Sequence, residues 1–279
     1  MPSAEIKESL LLPDISPVKI CYRDAGNGTP LLFLHGGWGY ESYPFDRQLE
    51  VFGDYLRILI PDRSGYGLSM KVSVDLPVDF HERAAMEMIC FLDALDIERA
   101  VLWGHSDGAV IAAMMGLLVP ERFFGLILEA FHYYKRKSRS REFFESIASN
   151  PDVLGEKIRD ALALDHGEDY WRKVVLNNGR AWLKIASESK LPDEDLYGGK
   201  LGELRVPTIF IHGSDDPRTE PGELLAVQEH LPQAAIRIIE GARHSPHSER
   251  SAFRECNRLA SSFLQLIIEK KIGVGTKHQ

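Results

Sequence analysis

Between Ala100 and Met115 the chain passes from one apolar stretch to another through Gly104-His105-Ser106-Asp107-Gly108. Ala100-Val101-Leu102-Trp103 has the length of a strand, and Ala109-Val110-Ile111-Ala112-Ala113-Met114-Met115 that of the buried middle of a helix. So short a connection demands a sharp turn. Glycines at both ends let strand and helix pass close, and the residue at the tip takes strained backbone angles. The Ser106 hydroxyl then stands at a helix N-terminus, where the dipole favours developing negative charge. The bland alternative is a serine that caps a core helix.

The surrounding chain alternates. Val18–Arg23 and Leu31–Leu34 read as strands separated by the turn composition Asp24-Ala25-Gly26-Asn27-Gly28, an early hairpin that predicts an antiparallel edge. Tyr55–Ile60, Arg99–Gly104, Phe124–Ala130, the run Pro207-Thr208-Ile209-Phe210-Ile211-His212-Gly213 and Ala235–Ile239 read as further strands. Pro77–Leu95, the segment after Ser106 and Gly222–Leu231 read as helices. The order predicts an α/β fold with a doubly wound, mainly parallel sheet. Alternation stops from about His132 to Arg205, where helices with the aromatic anchors Phe143, Phe144, Tyr170, Trp171, Trp182 and Tyr197 follow one another. We expect residues 1–131 and 206–279 to form the core, with 132–205 inserted between two strands. The basic run Lys135–Arg141 reads as a solvated loop, and Gly273 to Gln279 as a frayed end.

A chain of 279 residues and formal charge −8 suits one large domain and points away from nucleic acid and anionic membranes as partners. Cys21, Cys90 and Cys256 are odd in number and lack metal spacing, which fits a reducing compartment. The start of the chain has no basic region followed by an apolar core, and the apolar stretch Ala109–Val119 is too short to span a bilayer. A cytoplasmic protein, monomer or homodimer, is the expectation.

A serine needs a base to take its proton and a third group to orient that base. Ser214-Asp215-Asp216-Pro217 follows the strand ending at Gly213, and Gly241-Ala242-Arg243-His244-Ser245-Pro246-His247 follows the next strand. Carboxylates and histidines thus fall just past the carboxyl ends of predicted strands, where open parallel sheets build their sites. Two aspartates and two histidines compete for the roles. Leu31–Leu34 runs into His35-Gly36-Gly37-Trp38-Gly39, whose bare N–H groups suit an oxyanion. The N–H of Gly37 and that of Asp107 are the candidate donors. An ordinary tight turn would use the same glycines. Trp38 and Tyr40 on this loop are the candidate substrate contacts.

Taken with Asp62-Arg63-Ser64-Gly65-Tyr66-Gly67-Leu68-Ser69, these motifs make the chain resemble capped α/β-hydrolases from about Val18 to about Leu266. The resemblance implies the α/β-hydrolase fold with an inserted helical cap and cofactor-free hydrolysis of a small-molecule ester, with no metal. It places the acid three residues after Gly213, at Asp216, leaving Asp215 to the turn. Its G-x-x-H pattern from Gly241 selects His244 as base, with His247 a partly exposed histidine at the start of the last helix. His35 and His105 are read as structural, and His212 has no assigned task. Ser106 at the turn excludes relatives of this fold with an aspartate nucleophile, such as epoxide hydrolases and haloalkane dehalogenases.

Asp107 stands where relatives often carry a bulky apolar residue. Its carboxylate complements the helix dipole, or it attracts a substrate ammonium group and repels an anionic acyl group. The Ser-Asp-Gly arrangement resembles the valacyclovir hydrolase (biphenyl hydrolase-like) group, which implies esters of α-amino acids. Hydrolysis of a C–C bond or a lactone, and a receptor role on the same fold, are the alternatives.

Overall fold

The computed structural model describes residues 1–275. Eight strands form one sheet: β1 (Ser3–Ile6), β2 (Val18–Ala25), β3 (Thr29–Leu34), β4 (Leu56–Pro61), β5 (Ala100–His105), β6 (Phe123–Glu129), β7 (Thr208–Gly213) and β8 (Ala235–Ile239). The spatial order is β1-β2-β4-β3-β5-β6-β7-β8. From β4 to β8 neighbours run parallel, while β1 pairs with β2, and β2 with β4, antiparallel.

The antiparallel edge exists, but the expected hairpin does not close on itself: β4 lies between β2 and β3. The turn residues serve another purpose. Gly26 and Gly28 have φ of 78° and 115°, and a Cβ on either would come within 2.3 Å of a backbone oxygen just before or in β4, Leu56 O or Tyr55 O. Glycine there lets the β2–β3 connection step across the chain entering β4.

Helices cover both faces. α2 (Phe80–Ala94) and α3 (Asp107–Leu118) pack on one face, among Leu32, Leu34, Leu102, Met88, Phe91 and Val110. α1 (Asp46–Phe52) and α8 (Phe253–Gly275) pack on the other, against Phe33, Ile58, Trp103, Ile127 and Ile211. α3 is apolar almost all round and sinks into the core; β5 is buried at every residue, as a central parallel strand must be. α8 runs to Gly275, so the first residues of the end expected to fray are helical; residues 276–279 lie outside the described residues.

Between β6 and β7 stand α4 (Arg141–Ser149), α5 (Glu156–His166) and α6 (Trp171–Glu188), held together by Phe144, Ile147, Leu162, Trp171, Val175 and Trp182. The helical expectation holds to Glu188 and then gives way to irregular chain with a short 3-10 turn at Leu201–Glu203. α7 (Glu223–His230) follows β7. The basic run is not simply solvated. Lys137 is buried and pairs with Glu223 at 2.7 Å, and the same carboxylate accepts the Tyr133 N–H at 2.6 Å. Lys135 pairs with Glu194. These contacts anchor the start of the helical segment, because a buried ammonium requires a buried partner.

Candidate active site

Ser106 sits between β5 and α3 with φ 54° and ψ −122°. Positive φ is costly for a residue with a Cβ and persists only where the surroundings enforce it. Here a Cβ on Gly104 would meet Gly108 O at 2.2 Å, and one on Gly108 would meet Leu34 O at 2.0 Å. Glycine at both positions is what permits the turn, and the Ser106 N–H is tied to Glu129 O at 2.9 Å.

The turn brings Ser106 Oγ to 3.0 Å from His244 Nε2. His244 Nδ1 lies 3.0 Å from both carboxylate oxygens of Asp216. The ring must donate through Nδ1 to the carboxylate, leaving Nε2 to accept the hydroxyl proton. Burial pushes the Asp216 carboxyl up, but the charge and hydrogen bond of His244 outweigh this and hold it well below the usual carboxylate range. His212, left without a task by the sequence, stands 3.4 Å from Asp216 Oδ2 and bonds the Thr219 hydroxyl. Asp215 is exposed and holds the turn through its N–H to Ala242 O at 2.9 Å.

The expected oxyanion donors are adjacent. Among the described residues, neither the Gly37 N–H nor the Asp107 N–H is given to a protein acceptor. A Cβ on Gly37 would fall 2.2 Å from Asn178 Nδ2 and 2.4 Å from Asp107 Oδ2. The loop at Gly37 therefore packs against the Asp107 side chain with no room for a side chain of its own.

The Asp107 carboxylate is buried and well supplied with donors. It accepts Asn178 Nδ2–H at 2.7 Å and Trp182 Nε1–H at 3.0 Å, both from α6, and contacts His81 Nε2 at 3.1 Å. Burial raises its pKa, but the His81 hydrogen bond and charge outweigh this and the net shift is downward.

His105 lies behind the site as expected, donating to His244 O at 3.0 Å; burial, then the charge of His247, bring its pKa down to about 3. His35 contacts Gly36 O at 2.8 Å and supports the loop. Two residues depart from expectation. His247 is fully buried rather than partly exposed, and lies in the turn before α8. Its Nδ1 meets Glu129 Oε1 at 2.8 Å and its Nε2 meets Tyr43 O at 3.0 Å. Two acceptors at the two nitrogens make it an imidazolium, with no lone pair left for a metal although His105 and Glu129 stand close by. Tyr40 does not face the cavity: its hydroxyl donates to Asp46 at 2.6 Å and Arg23 lies over its ring. Trp38 does line the cavity, stacked beside Tyr43 and near Phe143.

The cavity over Ser106 holds about 380 Å³, enough for a small molecule. Its wall includes residues to which the sequence assigns no part in the site. His132 Nε2 is 3.4 Å from Ser106 Oγ, and burial, then Lys137, hold its pKa far below the ordinary value. Its position just past the end of β6, beside the serine's strand, was the available signal. Asn178 and Trp182 carried no such signal, since their partner is 71 and 75 residues away.

A doubly wound sheet with a serine on a strained strand–helix turn, bonded to a histidine that is bonded to an aspartate, is the architecture of an α/β-fold hydrolase. The Alpha/beta hydrolase family model matches residues 31–255, so the chain belongs to that family. It is 25% identical over 254 residues to human "Serine hydrolase BPHL", covering 90% of this chain and 84% of that protein. It is 26% identical over 273 residues to "2-hydroxy-6-oxo-6-phenylhexa-2,4-dienoate hydrolase" of Comamonas testosteroni, covering 90% and 93%. Among solved structures, E-2-(acetamidomethylene)succinate hydrolase superposes with a TM-score of 0.71 at 14% identity, over 95% of this chain and 99% of the other. A thermophilic esterase from Thermogutta terrifontis superposes with a TM-score of 0.68 at 22% identity, over 96% and 99%. These last two speak for the fold.

Proposed function

We propose that the protein is a serine hydrolase that cleaves a small-molecule carboxylic ester through an acyl-enzyme. The reading rests on one observation, the unbroken hydrogen-bonded line Ser106–His244–Asp216. His244, oriented by Asp216, takes the hydroxyl proton as Ser106 Oγ attacks the carbonyl carbon. The N–H groups of Gly37 and Asp107 receive the oxyanion, each worth about 3–4 kcal/mol in the transition state. His244 gives its proton to the departing alcohol, then draws one from water to cleave the acyl-enzyme. In this reading residues 132–205 act as a cap that keeps bulk water from the reacting atoms, and Trp38 contacts substrate.

Asp107 receives a latching role: its carboxylate is engaged by donors from α6 and α2. A preference for amino-acid esters, the sharper expectation, requires that charge to reach a substrate ammonium, and comparison with Asp107→Asn tests it. Hydrolysis of a C–C bond is the second reading, favoured by the Comamonas relative over most of both chains.

The deciding experiment is turnover of para-nitrophenyl esters by the wild type and by Ser106→Ala. A fall on the order of 10⁴–10⁶ in a variant that folds normally is the expected result. Retained turnover would end the proposal. Repeated turnover, as opposed to a single stoichiometric acylation, separates an enzyme from a receptor.

A further inference from the structure

The charged side chains around the cavity divide into two sets. At the α6 end, Asp107 is occupied as described. On the loops after β7 and β8 the cavity is lined by Arg218 and Arg243. Arg218 is half-buried, with its Cζ 3.3 Å from the centre of the Phe143 ring of α4. Stacking occupies one face of a guanidinium and leaves its edge N–H groups free to donate in the plane. Among the described residues no carboxylate or carbonyl takes a hydrogen bond from the side chain of Arg218 or of Arg243. This is unlike Arg23, paired with Glu41 and Asp62, or Arg63, bonded to His35 O and Gly36 O. Glu249, whose carboxylate also lines the cavity, accepts the backbone N–H groups of Arg243 and Ser245, both at 2.9 Å. Burial lowers the pKa of Arg218, Asp216 opposes this, and the charge of Arg243 adds to it, as expected for two cations brought near each other.

We propose that Arg218, assisted by Arg243, is the docking point for a carboxylate carried by the substrate on its acyl or its alcohol side, which makes the preferred substrates anionic esters. A half-buried guanidinium with its edge donors unspent, facing a cavity that also holds the reactive serine, is built to pair with a planar anion in the bidentate manner. The Phe143 ring packed against the guanidinium restricts its motion, so less side-chain entropy is lost on binding. The inference rests on the proposed hydrolysis at Ser106, and the test keeps the two apart.

Two pairs of esters differ in a terminal carboxylate: para-nitrophenyl hemisuccinate against para-nitrophenyl butyrate on the acyl side, and para-acetoxybenzoate against phenyl acetate on the leaving side. The readout is the ratio of kcat/KM within each pair. In the wild type at least one pair favours the anion. Arg218→Gln lowers that ratio about tenfold or more, Arg243→Gln lowers it less, and salt lowers it in the wild type. A ratio that neither substitution moves, or a wild type that prefers the neutral ester in both pairs, overturns the proposal. If no ester is turned over, hydrolysis fails as a reading while calorimetric binding of para-acetoxybenzoate still decides the docking point: loss on Arg218→Gln supports it, and equal affinity overturns it.

Discussion

The indole N–H of Trp182 donates to the carboxylate of Asp107 across 3.0 Å, joining α6 to the residue that follows Ser106. Both side chains are buried, so breaking the contact would leave a polar group short of a partner. The same carboxylate takes the Asn178 amide, so the helical segment and the serine turn share one anchor.

Trp182→Phe keeps the ring contact with Phe144 and removes only the donor. Leaving a buried carboxylate oxygen short of one partner costs about 1–3 kcal/mol. Thermal unfolding should register a lowered melting temperature, and esterase turnover should fall with it. An unchanged melting temperature would show that this bond does not couple the two elements.

Gly37→Ala places a methyl group where Asp107 Oδ2 and Asn178 Nδ2 already stand. The loop must move away, carrying its N–H with it. Loss of one oxyanion donor typically costs about 10²–10³ in kcat, and that is the expected fall, read in steady-state kinetics with KM little altered.

Asp107→Asn replaces one acceptor oxygen with an amide donor that must face another N–H donor. Stability should drop for that reason, while the ratio of amino-ester to neutral-ester turnover holds. A ratio that collapses instead would return Asp107 to the role of ammonium selector.

Glu129 and His247 carry a pH prediction. Burial disfavours both charges, and their mutual attraction outweighs it: His247 is raised above 6.5, and Glu129 is held down at about 2. The stability contributed by protonated His247 is complete below its ordinary value near 6.5 and is lost as pH rises through the raised one. The contribution of ionised Glu129 is complete above its ordinary 4.5 and is lost as pH falls toward about 2. Melting temperature followed from mildly acid to alkaline pH should decline on the alkaline side more steeply in the wild type than in His247→Gln. Parallel curves would contradict the pairing.

Much of this arrangement was legible in the sequence because strand ends announce themselves. Ser106, Asp216 and His244 each follow a compact apolar run, and the parallel sheet brings such ends to one edge. The family pattern chose between neighbours that composition could not separate. Side-chain direction was less legible. Tyr40 sits on the expected loop yet turns inward to Asp46, and His247 reads as partly exposed because its partner, Glu129, is 118 residues distant. The Lys137–Glu223 pair escaped for the same reason: a basic run looks solvated until the fold supplies a buried acid 86 residues away. Strand order was also beyond reach, since nothing local in the turn at Gly26 and Gly28 announces that β4 will lie between its two arms.

That interposed strand has a consequence for how the sheet assembles and for what its edge exposes. β2 and β3 leave the ribosome in succession but cannot zip together; they must stay apart until β4 arrives, so the sheet forms around a latecomer and not by local annealing. Once seated, β4 would offer a bare row of amides along its outer side were it not for the reversed β2, itself closed off by the four residues of β1. The first 25 residues thus cover the outer side of β4 and carry none of the reacting groups, and trimming them should yield aggregation before it yields inactivity.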